Sequence, residues 1–167
     1  VHRPSGDVWL SHSQGISRFT NNEWIFYDEP FFEDCTRVYS QKILIDQNDR
    51  IYALVCGRLY EWKNEQFVLD QVLSDLGLNG AISEMTLDDQ DQFWLAYPDQ
   101  LLLRSENDVQ TFGPKEMDAN LGRVSHMYFD MFHQQLWIGT QSQGLFSYST
   151  RPQMLRVNNK SKEIKLR

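Results

Sequence analysis

The sequence predicts an all-β fold built from repeated sheets of short antiparallel strands. Three observations lead to this prediction: aromatic anchors recur at a fixed period, short apolar runs alternate with turn residues, and no helix-length periodic segment lies between the strands. The anchors stand at spacings of 43, 42 and 43 residues, and they are Trp9, Tyr52, Trp94 and Trp137. A period in this range is typical of a repeat architecture, in which each unit packs on the next.

Each unit is expected to be a meander of short strands joined by tight turns. The first unit has expected strands at 8–10, 16–19 and 24–27 and lacks room for an earlier strand. The second is complete, with expected strands at 38–45, 51–55, 59–62 and 67–69. The third has 82–87, 93–96, 101–104 and 109–112, and the fourth has 124–129, 136–139, 145–148 and 154–157. The longest connection, 70–80, has room for one helical turn at 73–78.

A four-stranded antiparallel sheet has two faces and two unpaired edges, and it cannot bury both faces alone. Radial stacking of similar sheets covers the faces and leaves only short edges. In the fourth unit, Trp137 and Gly139 alternate with Ile138, as expected for a strand packed between neighbouring sheets. The sequence therefore predicts a β-propeller with blades of four antiparallel strands, in about four repeats of 42–43 residues. The periodic aromatics are expected to be packing anchors between blades.

An aspartate opens the turn between the first and second strands of three units. Asp46, Asp88 and Asp130 follow one another at spacings of 42 and 42 residues. Acidic turns can bind calcium, but the spaced glycine and the final glutamate of an EF-hand loop are missing from the sequence. Recurrence at one turn position favours Asx turns, in which the side chain accepts backbone N–H groups. We therefore expect no metal site.

Charge is unevenly placed along the 167 residues. The net charge is −7, but residues 151–167 carry six basic side chains and one acidic one, a balance of +5, which leaves −12 on residues 1–150. An acidic body disfavours binding to nucleic acid, whose phosphates require cationic partners. The segment 158–167 is expected to be a solvated basic tail or the first strand of a further blade.

The two cysteines, Cys35 and Cys56, form neither a CxxC pair nor a metal-ligand spacing. Free core thiols and one disulfide are both compatible with the sequence. From the distribution of apolar residues we expect neither a bilayer-spanning segment nor a signal peptide within these 167 residues. The start at Val1 without Met leads us to expect a processed or partial chain.

The fourth unit resembles a known repeat. Asp130 in a turn, a Trp-Ile-Gly-Thr strand at 137–140 and Gly-Leu-Phe at 144–146 are together similar to the two-component regulator propeller repeat. The segment 9–16 is the next best match. The second unit departs from the pattern with a tyrosine anchor, and the third has Pro-Asp-Gln where the Gly-containing turn should be. The resemblance covers residues 7–150 in four units.

This resemblance implies a sensory ectodomain. Propellers of the family lie outside the cytoplasmic membrane, ahead of a membrane span and an output domain, often a histidine kinase or a diguanylate cyclase. We therefore expect residues 1–157 to be a propeller segment of a longer bacterial sensor, in the periplasm or another extracytoplasmic location. Two alternatives are closure of the ring at four blades, with Ile164 and Leu166 of the tail in the missing first strand, and pairing of two chains into one larger ring.

The segment is expected to be non-catalytic, to need no cofactor, and to bind an unknown small molecule or oligosaccharide. Self-association through exposed propeller edges is also expected, and membrane contact only through parts of the parent protein outside this chain. One alternative is a protein-interaction propeller without a small ligand. Another is a metal-dependent propeller lyase, although His12, His126 and His133 lie in different units with no nucleophile or carboxylate at motif spacing.

Candidate ligand residues are those that the repeat does not require. Irregular aromatics and the departure from the repeat at 97–99 meet this criterion. The predicted ligand-binding residues are Tyr97, Asp99, Phe31, Phe32 and Tyr39. Functional residues are expected where the repeats differ in sequence, above all at 97–99 and in the loops at 28–36, 70–80 and 113–122.

Overall fold

The structure is a computed structural model that describes residues 6–27, 32, 42–78, 80–98, 100–106, 108–117 and 120–149. Within these residues the chain forms four antiparallel sheets and two short helices. The chain divides into two compact structural units, each larger than one sequence repeat. The first unit is Val1–Ile82 and the second unit is Ser83–Arg167, and each contains two of the sheets. The predicted strand at 154–157 and the tail at 158–167 lie outside the described residues.

In both sheets of the first unit, each strand pairs with the strand next to it in the chain. The first sheet contains β1 (Val8–His12), β2 (Gly15–Thr20) and β3 (Glu23–Tyr27). The second sheet contains β4 (Lys42–Ile45), β5 (Ile51–Val55), β6 (Arg58–Lys63) and β7 (Gln66–Leu69). Helix α1 (Gln71–Asp75) begins two residues before the predicted turn at 73–78, because the Asp70 side chain caps it by accepting the Leu73 N–H at 3.0 Å.

The second unit repeats this meander. Its first sheet contains β8 (Glu84–Leu87), β9 (Phe93–Ala96), β10 (Leu101–Arg104) and β11 (Val109–Phe112). Helix α2 (Pro114–Met117) follows, and then the last sheet with β12 (Val124–Asp130), β13 (Gln135–Thr140) and β14 (Leu145–Ser149). Helix α2 lies in the loop predicted at 113–122. Its proline suits a first helical position, where no N–H is needed, and its Met117 is buried.

Three hairpin turns place two successive residues in the left-handed region of φ. The φ angles are 50° and 64° at Asn21 and Asn22, 51° and 72° at Cys56 and Gly57, and 50° and 60° at Asn64 and Glu65. Two such residues match the twist of the flanking strands and give tight two-residue hairpins. The tight turns predicted between neighbouring strands are confirmed at these three places.

The first anchor packs one sheet of the first unit against the other. Trp9 is fully buried, and its ring lies 5.9 Å from that of Tyr27 in the same sheet. It also contacts two rings of the second sheet, Trp62 at 5.1 Å and Phe67 at 5.9 Å between centroids. Edge-to-face aromatic pairs of this kind stabilise a core beyond their buried area. The predicted role of Trp9 as a packing anchor is confirmed.

Arg18 of β2 joins the same two sheets through charge. Its guanidinium donates to Asp7 Oδ2 at 2.8 Å and to Glu65 Oε2 at 2.9 Å, and Glu65 belongs to the β6–β7 turn. The guanidinium carbon also lies over the rings of Trp9, at 5.4 Å, and Trp62, at 5.8 Å. A cation held over aromatic faces and by a carboxylate gains from both interactions.

The anchors of the second unit differ from each other. Trp94 is 3% exposed and belongs to a core cluster with Phe129, Leu136 and Tyr148, as predicted for a packing anchor. Trp137 is only half-buried among the described residues, so its role as a packing anchor between blades stays a prediction. In β13 the core is contacted by Leu136 and Ile138, which leaves Trp137 on the opposite face beside exposed Tyr128.

The buried hydroxyl of Tyr148 meets no hydrogen-bond partner among the described residues, and burial raises its pKa to about 12. We expect Tyr148→Phe to raise the free energy of unfolding by about 1 kcal/mol, because it removes an unsatisfied polar group from the core. Urea denaturation measures this change. Because the folded pKa lies above the ordinary tyrosine value, stability falls as the pH rises above 10 through 12, and this alkaline loss should shrink in the variant. Equal stability curves for both proteins would contradict the assignment.

Candidate functional site

The three predicted aspartate turns are held in related ways: Asp46 and Asp88 accept the N–H groups two and four residues on, and Asp130 accepts those two and three residues on. In each turn the Oδ1 atom accepts two backbone N–H groups. The distances are 2.9 and 2.8 Å at Asp46, 2.9 and 2.9 Å at Asp88, and 3.0 and 3.1 Å at Asp130. This is the hydrogen bonding of Asx turns, as the sequence predicts. One carboxylate oxygen therefore holds the turn, which leaves the other oxygen, Oδ2, for further contacts.

The Oδ2 atom meets a side-chain nitrogen in two of these turns. Asp46 Oδ2 accepts Arg50 Nε at 2.6 Å, and the guanidinium carbon of Arg50 lies 5.9 Å from the centre of the Tyr52 ring. Asp130 Oδ2 lies 2.7 Å from His133 Nδ1. The imidazole contact, the largest cause, lowers the pKa of the Asp130 carboxyl, and the Asp46 contact raises the pKa of Arg50.

Asp88 is the exception. The position of Arg50, four residues after the aspartate, is occupied by Gln92, and no salt bridge to Asp88 occurs within the described part of the chain. Asp88 is 6% exposed. Burial raises the pKa of its carboxyl, and the backbone N–H groups of Gln92 and Gln90 only partly offset this rise. The site thus holds a buried carboxylate without a cationic side chain.

A half-open pocket of about 200 Å³ lies at Asp88. Its apolar wall combines the Trp94 and Phe112 rings, stacked 5.5 Å apart, with Leu103. Two carboxylates, four amides and one hydroxyl complete the lining, from Asp88, Asp89, Gln90, Gln92, Gln110, Gln134 and Ser149. No basic side chain lines it among the described residues. The volume equals that of about six or seven water molecules, or one ligand of amino-acid size.

The rim of the pocket is tied to the turn of the last sheet. Gln134 donates its side-chain amide to Asp89 Oδ2 at 2.7 Å and to the Met131 carbonyl at 2.9 Å. Asp89 therefore already accepts a neutral donor. Among the described residues, the Trp94 indole N–H makes no hydrogen bond of normal geometry, although it lies near the Asp88 carboxylate and lowers its pKa. Asp88 is thus the carboxylate of the lining that has no charged partner in this part of the chain.

The residues predicted to bind a ligand are not gathered at this pocket. Tyr97 is 6% exposed, and its N–H bonds the Gln100 carbonyl at 2.9 Å in the turn after β9. Phe32 is 2% exposed and packs against Tyr60 and Phe67 in the core of the first unit. The other three, Phe31, Tyr39 and Asp99, lie outside the described residues. A ligand-binding role for these residues stays a prediction.

The pocket was missed because its aromatic wall includes a periodic anchor. Trp94 repeats with the period of the blades and was therefore predicted to serve packing alone. The sequence carries only a polar signal: three repeats share the aspartate, and the residue four positions later is Arg50 in one repeat and a glutamine, Gln92 or Gln134, in the other two. The missing cation alone therefore does not single out the Asp88 turn, whereas the burial of Asp88 and its pocket do.

Two of the described histidines have structural partners. His12 Nε2 lies 2.7 Å from Ser17 Oγ, and His133 contacts Asp130 as described. Within the described residues, no group of three or more His, Cys, Asp or Glu side chains is arranged to hold a metal ion. No helix among these residues is both long and apolar enough to cross a membrane. Cys56 is disulfide-bonded, and Cys35, the other cysteine of the sequence, lies outside the described residues.

No family model matches the chain, and no curated protein does. Solved structures with the same fold do exist. The extracellular domain of the protein designated as the hybrid two-component system BT3049 of B. thetaiotaomicron is 17% identical, with a TM-score of 0.70 over 94% of this chain and 22% of that one. The extracellular domain of BT4673 from the same organism, also designated a hybrid two-component system, is 14% identical, with a TM-score of 0.66 over 89% of this chain and 20% of that one.

An enzyme shares the fold at lower similarity. The virginiamycin B lyase of Staphylococcus aureus is 14% identical, with a TM-score of 0.54 over 89% of this chain and 53% of that one. The chain thus spans about a fifth of the length of the two extracellular domains. At these identities the likeness concerns the fold. The predicted all-β propeller class is confirmed, and the resemblance read from residues 7–150 is matched by propeller-bearing extracellular domains of two-component systems.

Proposed function

We propose that this chain is a segment of the extracytoplasmic sensory propeller of a bacterial signalling protein, with a two-component or diguanylate cyclase output. The segment itself is non-catalytic. The observation that carries this proposal is the fold shared with two extracellular domains of two-component systems, at TM-scores of 0.66 and 0.70. A sensory segment binds a small molecule and passes the change to the rest of its parent protein.

The disulfide at Cys56 supports an extracytoplasmic location. Disulfides form and persist in oxidising compartments such as the periplasm and the cell exterior, and they are rare in the reducing cytosol. The charge of −12 on residues 1–150 adds to this argument, because it opposes a role in binding nucleic acid.

The pocket at Asp88 supports small-molecule binding. It combines an apolar aromatic wall with convergent polar groups, which is the usual composition of a ligand site. Its buried carboxylate has a raised pKa, a property that clusters at functional sites.

A protein-interaction propeller is a second candidate, favoured by an exposed apolar face in the first sheet. Phe26 is 63% exposed, and Leu10 and Trp24 are each 46% exposed. Phe26 and Leu10 lie on one face, since both pair with Ser17 of β2. Contiguous exposed apolar surface is typical of interaction sites, including the self-association expected for propeller edges.

The test is a thermal-shift screen of the complete extracytoplasmic part of the parent protein against amines, amino acids, sugars and divalent cations. A specific ligand at one hundred times its dissociation constant is expected to raise the melting temperature by about 5–10 °C. The same compound must then change the output activity of the full-length protein. Saturable capture of one protein partner, without any small-molecule shift, would support the interaction propeller instead. Turnover of a screened compound would refute the non-catalytic assignment.

A further inference from the structure

The described residues hold two guanidinium groups by the same combination of a carboxylate and an aromatic face. Arg18 is bound by Asp7 Oδ2 at 2.8 Å and lies 5.4 Å from the centre of the Trp9 ring. Arg50 is bound by Asp46 Oδ2 at 2.6 Å and lies 5.9 Å from the Tyr52 ring. Charge pairing and the negative face of the ring both attract the cation.

The Arg50 arrangement is built on a turn that the third repeat reproduces. The Asp46 N–H bonds the Arg50 carbonyl at 3.1 Å, and the Asp88 N–H bonds the Gln92 carbonyl at 3.0 Å. The third residue after each aspartate has a positive φ, 63° at Asp49 and 57° at Asp91. Equal turns place the fourth residue and the aromatic anchor in equivalent positions, which makes Gln92 the counterpart of Arg50.

The third repeat keeps the carboxylate and the ring but lacks the cation. Trp94 replaces Tyr52 as the aromatic face, and tryptophan is the strongest of the aromatic side chains in attracting cations. The shorter, neutral Gln92 replaces Arg50, and the pocket of about 200 Å³ lies at this position. Its lining has two carboxylates and no basic side chain among the described residues, so its charge favours a positive ligand.

We propose that the Asp88 pocket binds a small free organic cation, a guanidinium or primary ammonium compound with a short apolar stem. The cationic head pairs with the Asp88 carboxylate, where Arg50 pairs with Asp46 in the preceding repeat. The stem lies against Trp94 and Phe112, and the amides of Gln92 and Gln110 accept remaining N–H groups. This assignment names the ligand class of the sensory role proposed above and rests on that role for its biological meaning, whereas the binding is testable on its own.

The probe is methylguanidinium, which carries the head group of Arg50, and the neutral isostere methylurea is its control. Calorimetry and the indole N–H resonance of Trp94 follow binding to the whole chain at low ionic strength. One site with a dissociation constant in the low millimolar range is expected for so small a ligand. Methylurea should bind at least tenfold more weakly, because it lacks the charge that Asp88 pairs with.

Two variants test the site itself. Asp88→Asn keeps the oxygen that accepts the turn N–H groups and removes the charge, and it should weaken methylguanidinium binding at least tenfold. Asp108→Asn removes an equal charge from an exposed residue outside the lining and should leave binding unchanged. Gln92→Arg supplies the guanidinium within the chain, and it should abolish methylguanidinium binding and raise the melting temperature.

The outcomes separate the site from the sensory role. The proposal is overturned if methylurea binds as tightly as methylguanidinium, or if the folded, unsubstituted chain binds no methylguanidinium. It is also overturned if Asp88→Asn or Gln92→Arg binds methylguanidinium as tightly as the unsubstituted chain. If Asp88→Asn fails to fold, the loss or retention of methylguanidinium binding in Gln92→Arg tests the site instead. Binding at the site with no effect of any bound cation on the output of the full-length protein would refute the sensory role and leave the cation site standing.

Discussion

Replacement of Gly57 by alanine is expected to lower the free energy of unfolding by about 3 kcal/mol or more. Gly57 has a φ of 72° in the β5–β6 turn, where an L side chain is strained. A Cβ atom there would lie 2.2 Å from the Ala81 Cβ and 2.9 Å from the Ala81 Cα, so backbone would have to move. The shift would also break the 2.9 Å hydrogen bond from the Ile82 N–H to the Gly57 carbonyl. Urea denaturation of both proteins measures the loss.

Gly77→Ala is the matched control. Gly77 has a φ of 59°, but a Cβ there meets nothing within 4 Å, so only the backbone strain of about 1 kcal/mol applies. Ala81→Gly in the Gly57→Ala background should recover part of the stability by removing the nearest atom. Equal losses for Gly57→Ala and Gly77→Ala would show that the close approach of Ala81 is unimportant.

Replacement of Trp9 by alanine is expected to cost about 3–5 kcal/mol. The ring is fully buried and contacts Tyr27, Trp62 and Phe67, so its removal leaves a large cavity between the two sheets of the first unit. It also removes an aromatic face from beneath Arg18. The melting temperature and the denaturation midpoint should both fall.

Trp24→Ala provides the comparison within the same sheet. Trp24 is 46% exposed and stacks obliquely on Phe19, so its removal should cost less than about 1 kcal/mol. A large loss at Trp24, similar to that at Trp9, would mean that the outer face of this sheet is buried in solution. That result would favour self-association through this face.

The strands could be predicted because local patterns determine them. The expected strands at 51–55, 93–96, 101–104 and 109–112 match β5, β9, β10 and β11, since short runs rich in apolar and β-branched residues between turn residues leave few other conformations. The strand expected at 82–87 begins at Glu84, because the Ile82 N–H bonds the Gly57 carbonyl. Contacts with distant residues thus decide where this strand begins, and sequence patterns do not report them.

The site was harder to predict for a related reason. The pocket joins the turn after β8 to Phe112 of β11 and Gln134 of the following sheet, residues far apart in the chain. Phe32, an aromatic residue that the repeat does not require, lies in the core instead of at the site, because removing a large ring from water is favourable. The Asx turn itself was predictable, since its hydrogen bonds are local.

In the turn aspartates, Oδ1 bonds the backbone and Oδ2 is left for side-chain contacts, and this separation has an evolutionary consequence. Because Oδ1 and the backbone hydrogen bonds hold the turn, the side chain four positions later can change without unfolding it. In Arg50 and Gln92 the chain shows two states of that position, one satisfied internally and one open. A single codon change at this position can therefore replace a stabilising contact by an open pocket, while the turn that carries the aspartate keeps its fold.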